Sequence, residues 1–137
     1  MSEVKYFVSP DDVETQEHPW GLLRWMSEPR VTGTGNMTTG HIAIKPGQGH
    51  TLHNHEGCEE ILYFLKGEAL QTIKLPEGTI ERKMAPGELV YIPAGVFHST
   101  VNTGPDLLTL LAVYQYAGPE AALRADPQCR VIPPKNQ

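Results

Sequence analysis

Glycine and proline interrupt this chain about every eight to twelve positions, 13 Gly and 12 Pro in 137 residues. No long helix or coiled coil survives such punctuation. Between the interruptions lie short runs rich in β-branched, aromatic and aliphatic residues: 20–26, 39–45, 61–66, 69–75, 79–84, 89–92, 97–102 and 107–116. Regular spacing of that kind predicts an all-β sandwich or barrel. Only 119–125, Pro-Glu-Ala-Ala-Leu-Arg-Ala, reads as helical, a turn or two opening with proline after Gly118. The tail from Pro133 is expected to be loose. There is no internal repeat, linker or low-complexity segment, so 1–137 reads as one domain.

Two runs, 61–65 (Ile-Leu-Tyr-Phe-Leu) and 107–113 (Leu-Leu-Thr-Leu-Leu-Ala-Val), do not alternate polar with apolar. A strand wet on one side should alternate, so both faces of these runs need cover. The barrel interior supplies one side; the N-terminal segment or another subunit supplies the other. A homodimer is the natural expectation, with the N-terminal strands in 1–38 at the contact.

Eleven basic residues against 16 acidic give a net charge of −5, with no basic cluster. Binding to nucleic acid runs on clustered Lys and Arg, so that partner is excluded. No apolar run reaches the length that crosses a bilayer, so no membrane partner is expected. The start, Met-Ser-Glu-Val-Lys-Tyr, lacks the basic and long apolar regions of a signal peptide, and the chain reads as cytoplasmic. Cys58 and Cys129 form no C-x-x-C pair and read as free thiols. Cys58 lies between His55 and Glu60, where a role near a metal is conceivable, but a small buried residue in a turn is the stronger reading.

The chemistry concentrates between Gly47 and Asn102. His53-Asn54-His55 puts two imidazoles on one face of an extended segment, their Cα atoms about 6.6 Å apart. Both can reach a common ion through ring nitrogens. His98 and Glu60 can complete a set of three imidazoles and one carboxylate, suited to divalent Fe, Mn, Ni, Co or Zn. An isolated HxH says little, because surface histidines produce it often.

Its surroundings say more. Gly47, His53, His55, Glu60 and Gly67 fit G(x)5HxH(x)3–4E(x)6G, and Gly87, Pro93, Gly95, His98 and Asn102 fit G(x)5PxG(x)2H(x)3N. In these two blocks, 47–67 and 87–102, the chain resembles the cupin superfamily, specifically its small single-domain bacterial type. The resemblance implies a double-stranded β-helix, a jelly-roll barrel, with a short C-terminal helical turn. It also implies one divalent metal ion per chain on His53, His55, Glu60 and His98. The spacing to Gly67 selects Glu60 over Glu59 as the carboxylate, and neighbouring strand residues point to opposite faces, leaving Glu59 turned outward. Asn102 shares a face with His98 and reads as a turn-stabilising residue rather than a ligand.

Of the other histidines, His50 precedes His53 in a loop and could serve as an acid or base, though an exposed loop position is the stronger reading. His41 reads as structural, and His18 as an N-terminal surface or interface residue. Leu62 and Phe64 are expected inside with Glu60, and Tyr63 outside. Tyr91, Tyr114, Gln71 and Gln115 remain candidates for polar pocket groups, a structural role being the stronger reading for each. Trp20 and Trp25 fit packing better than ligand stacking. No nucleophile elbow, Ser-His-Asp pattern or dinucleotide loop occurs; 32–36 lacks the spacing and the helix. Four protein ligands on an octahedral ion leave two positions for a small-molecule ligand. The function expected is a metalloenzyme on a small oxygen-rich metabolite, of dioxygenase, isomerase or lyase type. The alternative is a metal-dependent binding or sensing protein without turnover. The catalytic residues beyond the ligands are not identifiable from the chain.

Overall fold

The computed structural model describes residues 4–136. It has a short 3-10 turn at Pro10–Asp12 and ten strands: β1 Thr15–His18, β2 Gly21–Ser27, β3 Met37–Ile44, β4 Glu60–Lys66, β5 Ala69–Leu75, β6 Gly78–Met84, β7 Leu89–Ile92, β8 Phe97–Asn102, β9 Leu108–Gln115 and β10 Arg130–Ile132. One helix, α1 at Pro119–Arg124, follows Gly118 as expected. The strands form two antiparallel sheets, ordered β10-β1-β2-β3-β9-β4-β7 and β6-β5-β8.

Alternation decides which side chains go inside. On β3, Thr38, Gly40, Ile42 and Ile44 are buried, and on β9, Leu108, Leu110, Ala112 and Tyr114. The expectation for β4 holds: Glu60, Leu62 and Phe64 face inward while Tyr63 lies outside. Trp25, Leu23 and Ile92 complete the buried core, and Ile42, Ile44, Leu62 and Leu110 bring it against His53 and His98. Close packing of this kind leaves little freedom to the residues that end on it.

Asn102 behaves as the sequence predicts. Its side-chain amide donates to the carbonyls of Ile44 (2.9 Å) and Asp106 (2.8 Å), and its Oδ1 accepts from Gly104 N–H (2.9 Å). One side chain thus ties β3 to the β8–β9 turn. Gly67, at φ 96°, ends β4 where an added Cβ would stand 3.0 Å from the Leu107 carbonyl oxygen.

Three expectations need correction. The short strands β1 and β10 escape the periodicity reading, since Thr15-Gln-Glu-His18 buries Gln16 and His18 rather than apolar residues. The tail is not loose through its described part: Asn136 N–H donates to the Asp11 carbonyl (2.9 Å) and its amide to Asp12 (2.8 Å). The N-terminal strands do not cover the outer face of β4, because β1 and β2 extend the sheet beyond β3, at the far side from β4 and β7.

Candidate metal centre

His53 and His98 meet because their backbones pair. His53 N–H donates to the His98 carbonyl (3.0 Å) and His98 N–H to the His53 carbonyl (2.8 Å), a two-residue bridge beside β8. Residues so paired project side chains to the same face. The loop before His53 follows β8 closely: His50 N–H bonds the Thr100 carbonyl at 3.1 Å, and a Cβ at Gly49 would lie 2.2 Å from that same oxygen. Only glycine at position 49 permits this approach.

Ligand-capable nitrogens of His53, His55 and His98 all lie within 4.8 Å of one another. The Nδ1 atoms of His53 and His98 pair with the carbonyls of Thr51 (2.7 Å) and Val96 (2.9 Å). With Nδ1 protonated and donating, Nε2 of His53 is the free lone pair, as metal-binding imidazoles require, while Nε2 of His98 faces Glu60 and must shed any proton before it could bind an ion. Glu60 enters from β4, 2% exposed, with Oε2 3.9 Å from His55 Nε2 and Oε1 2.7 Å from His98 Nε2. That short approach lacks hydrogen-bond directionality, and Glu60 Oε1 remains a buried polar atom without a hydrogen-bond partner. His55 Nε2 and His50 Nε2 share that condition.

Native proteins seldom leave buried polar atoms unpaired. Here, three of the four such side-chain atoms among the described residues gather in one place, and the fourth is Trp25 Nε1. Three imidazoles and a carboxylate with free lone pairs fit a divalent cation by donor type. The sequence-derived set His53, His55, Glu60 and His98 is therefore brought together, and Glu59 is not part of it. Glu59 lies outside, accepting a hydrogen bond from the Tyr91 hydroxyl.

Charge is distributed accordingly. Burial pushes the Glu60 carboxyl up, but His98, Tyr114 and His55 together hold it below its ordinary value. Burial lowers both His53 and His55, so they are neutral near pH 7. Against the pull of burial, His98 is raised by the Glu60 carboxylate and the Val96 carbonyl.

Several residues depart from expectation. His50 is not an exposed loop residue: its ring packs edge-on to Trp20 at 4.5 Å, Nε2 is buried, and burial and then His53 lower it to about 4. His18 is not a surface residue either. It is 3% exposed, bonded to Gln16 Oε1 (3.3 Å) and stacked on Trp20 at 4.9 Å. Tyr114, opposite Glu60 on β9, belongs to the site, its ring 5.3 Å from His55. The signal was available in principle, because the inward parity of β9 that places Ala112 and Leu110 also places Tyr114. Gln115 lines the cavity described next, whereas Gln71 is buried under Thr100 and Tyr91 lies outside. Cys58 and Cys129 are free, and Cys58 Sγ donates to the Gln115 carbonyl at 2.9 Å.

A cavity of about 760 Å³ opens over the histidines. Its lining includes His50, His53, His55, Trp20, Tyr114 and Leu123. A much smaller pocket of about 10 Å³, lined by Glu60, His98, Leu62 and Thr100 among others, lies toward the barrel interior.

A family model described as a cupin domain matches residues 40–114. This chain belongs to the cupin family. Among curated relatives, glucose-6-phosphate isomerase of Thermococcus kodakarensis is 37% identical over 79 residues, 57% of this cupin and 36% of the relative. The Thermococcus litoralis enzyme of that name is 35% identical over 104 residues, 72% and 50% respectively. The cupin thus spans half or less of these relatives. Among solved structures, KdgF from Halomonas sp. superposes with a TM-score of 0.71 at 18% identity, covering 85% of this cupin and 99% of that chain. A variant of Bacillus subtilis oxalate decarboxylase gives 0.74 at 24%, covering 85% and 30%. The fold is the all-β jelly roll of these neighbours, as the two glycine-bounded blocks imply.

Proposed function

We propose that this cupin is a metalloenzyme that holds one divalent ion on His53, His55, Glu60 and His98 and acts on a small oxygen-rich molecule. The observation that carries the reading is the convergence of three imidazoles, with the buried Glu60 carboxylate beside His55 and His98, at a place where His55 Nε2 and Glu60 Oε1 make no hydrogen bond. A bound divalent ion supplies Lewis acidity toward substrate oxygens, or redox chemistry if it is iron. The residues do the rest. Thr51 and Val96 carbonyls fix the His53 and His98 rings, Tyr114 steadies Glu60, and the apolar wall formed by Leu62, Ile42 and Leu110 keeps bulk water from the inner side. The reaction classes supported are isomerisation, lyase chemistry or dioxygenation. Glucose-6-phosphate isomerases among the relatives, and the Mn(II) centres of Bacillus subtilis oxalate decarboxylase among the fold neighbours, favour such chemistry and a metal of that kind.

A second reading, metal-dependent binding or sensing without turnover, has one observation in its favour. Tyr114 is pushed well above its usual value by burial and the Glu60 charge, and His50 is kept neutral by burial. Neither is tuned to exchange a proton near pH 7. Metal analysis of protein purified without a nickel column tests the common premise. We expect one ion per chain, lost in the double variant His53→Ala, His98→Ala. An ion retained by the double variant, or sub-stoichiometric metal in the parent, removes both readings. Turnover against a carbonyl and sugar library then separates enzyme from binder. Two copies are proposed to associate, and a cytoplasmic location is proposed with them; no described helix is long and apolar enough to cross a membrane.

A further inference from the structure

The chain leaves two apolar surfaces bare, and neither covers the other. The first is the N-terminal arm, residues 4–8, Val-Lys-Tyr-Phe-Val, which lies outside any helix or strand. Tyr6 is 82% exposed and Phe7 88%, almost as open as in an unfolded chain. Among the described residues, the backbone of 4–8 makes no hydrogen bond, and its one ionic tie is Lys5 to Asp12 at 3.6 Å. Aromatic and β-branched residues in an unpaired run fit best against a pleated, half-buried surface. The second surface is of that kind. It is the outward side of β4 and β7, where Ile61, Tyr63, Leu65, Leu89 and Tyr91 are all exposed. Among the described strands β7 ends its sheet, so its outer backbone edge is open as well.

Within one molecule the two surfaces do not meet. The arm leads through the Pro10–Asp12 turn into β1, and β2, β3 and β9 lie between β1 and β4. Four strand spacings come to about 19 Å. Residues 4–9 span about 20 Å only when fully stretched, and the Lys5–Asp12 pair holds the start of the arm back at its root. A second copy turned about a two-fold axis resolves the mismatch. The β1 end of each sheet then stands beside the β7 end of the other, so arm meets face twice. The area suffices. Each docked Tyr or Phe removes about 150 Å² or more from water, so two arms remove about 600 Å². The receiving faces lose as much, which reaches the roughly 1,200 Å² at which specific interfaces begin.

We propose that residues 4–8 of each copy dock on the outward side of β4 and β7 of a second copy, with Tyr6 and Phe7 seated among Ile61, Tyr63, Leu89 and Tyr91. This rests on the association of two copies proposed above and names the surfaces that make it. β4 carries Glu60 on its inner side, so the arm of one copy backs the carboxylate of the other.

Sedimentation equilibrium of the full chain, with far-UV circular dichroism as the control for folding, tests this. The parent should be a dimer. Tyr6→Ser with Phe7→Ser changes only exposed side chains and should raise the dimer dissociation constant about 100-fold or more, with the spectrum unchanged. Crosslinking locates the arm. In chains with Cys58→Ser and Cys129→Ser, a Phe7→Cys chain mixed with a Leu89→Cys chain should be joined by a short bismaleimide. A Phe7→Cys chain mixed with an Ile80→Cys chain should not, although Ile80 on the edge strand β6 is also exposed. A dimer that survives the serine pair, or crosslinking to position 80 as efficient as to 89, overturns the arm docking and leaves association to another surface. A monomeric parent overturns both the docking and the association.

Discussion

At the scale of single residues, adjacent carboxylates have opposite fates. Glu60 is inward, beside His98 and His55, while Glu59 is outward and tied to Tyr91. Strand parity alone separates them. Glu60→Gln should cost about 10- to 100-fold in metal affinity with the fold retained, by analogy with other losses around metal sites, whereas Glu59→Gln should change it by less than about twofold. Metal titration with a competing chelator measures both, and the reverse ranking would show the wrong carboxylate had been assigned. The three histidine positions were legible through the two glycine-bounded blocks and the family resemblance they carry, since His53 and His55 lie outside the named strands and the HxH pair alone says little. The surroundings of His18 and His50 were not. Both are buried by Trp20, and nothing in local spacing announces that the β1–β2 turn folds its indole between them.

Among elements, α1 is too short to stand alone and is held by charge. Arg124 on its last turn donates to Glu14 (2.7 Å) and Glu28 (2.6 Å), and Arg30 also reaches Glu14 (3.0 Å). The helix in turn supplies a wall of the cavity. Arg124→Met should destabilise the protein by about 2–4 kcal/mol, because two carboxylates lose their shared partner in a partly buried site. The pH dependence has a defined sign. Burial pushes Glu14 up, but Arg124 and Arg30 bring it below 4.5, so its contribution is present above that pH and lost as pH falls through its folded value. Glu28 goes the other way, raised by burial in spite of both arginines, so its ionisation opposes folding as pH rises. Protonation of both carboxylates makes the arginine dispensable. Urea melts of parent and variant should therefore converge as pH drops below about 4.5; a gap that persists in acid would mean Arg124 acts through packing. Element boundaries from β2 to β9 were readable within a residue or two, because each run ends on glycine, proline or a turn. The strands β1 and β10 were unreadable for physical reasons: β1 buries polar groups satisfied by distant partners, as when Gln16 donates to the Glu120 carbonyl at 3.3 Å, and β10 is three residues long with every one of them exposed.

For the molecule as a whole, the unbroken apolar run on β4 has a consequence. Its inward half is core, while Ile61, Tyr63 and Leu65 on the outward half remain about 36–40% exposed. Cross-strand neighbours on β7 continue the patch, Tyr91 opposite Ile61 and Leu89 opposite Tyr63. Apolar patches of this kind mark contact surfaces. A homodimer built on this face is the form we expect, alongside the contact on residues 1–38 that the sequence suggests. Sedimentation at micromolar concentration should give a dimer, and Tyr63→Lys with Leu89→Glu should give a monomer that still folds; a monomeric parent would refute it.

The paired backbones of His53 and His98 have a temporal meaning as well. Ring nitrogens on the two sides of that bridge come within range of a single cation only after the intervening hairpins have been laid down. We expect capture of an ion to be a late event in folding. A chelator added during refolding should leave the early phases untouched and subtract only the final increment of stability.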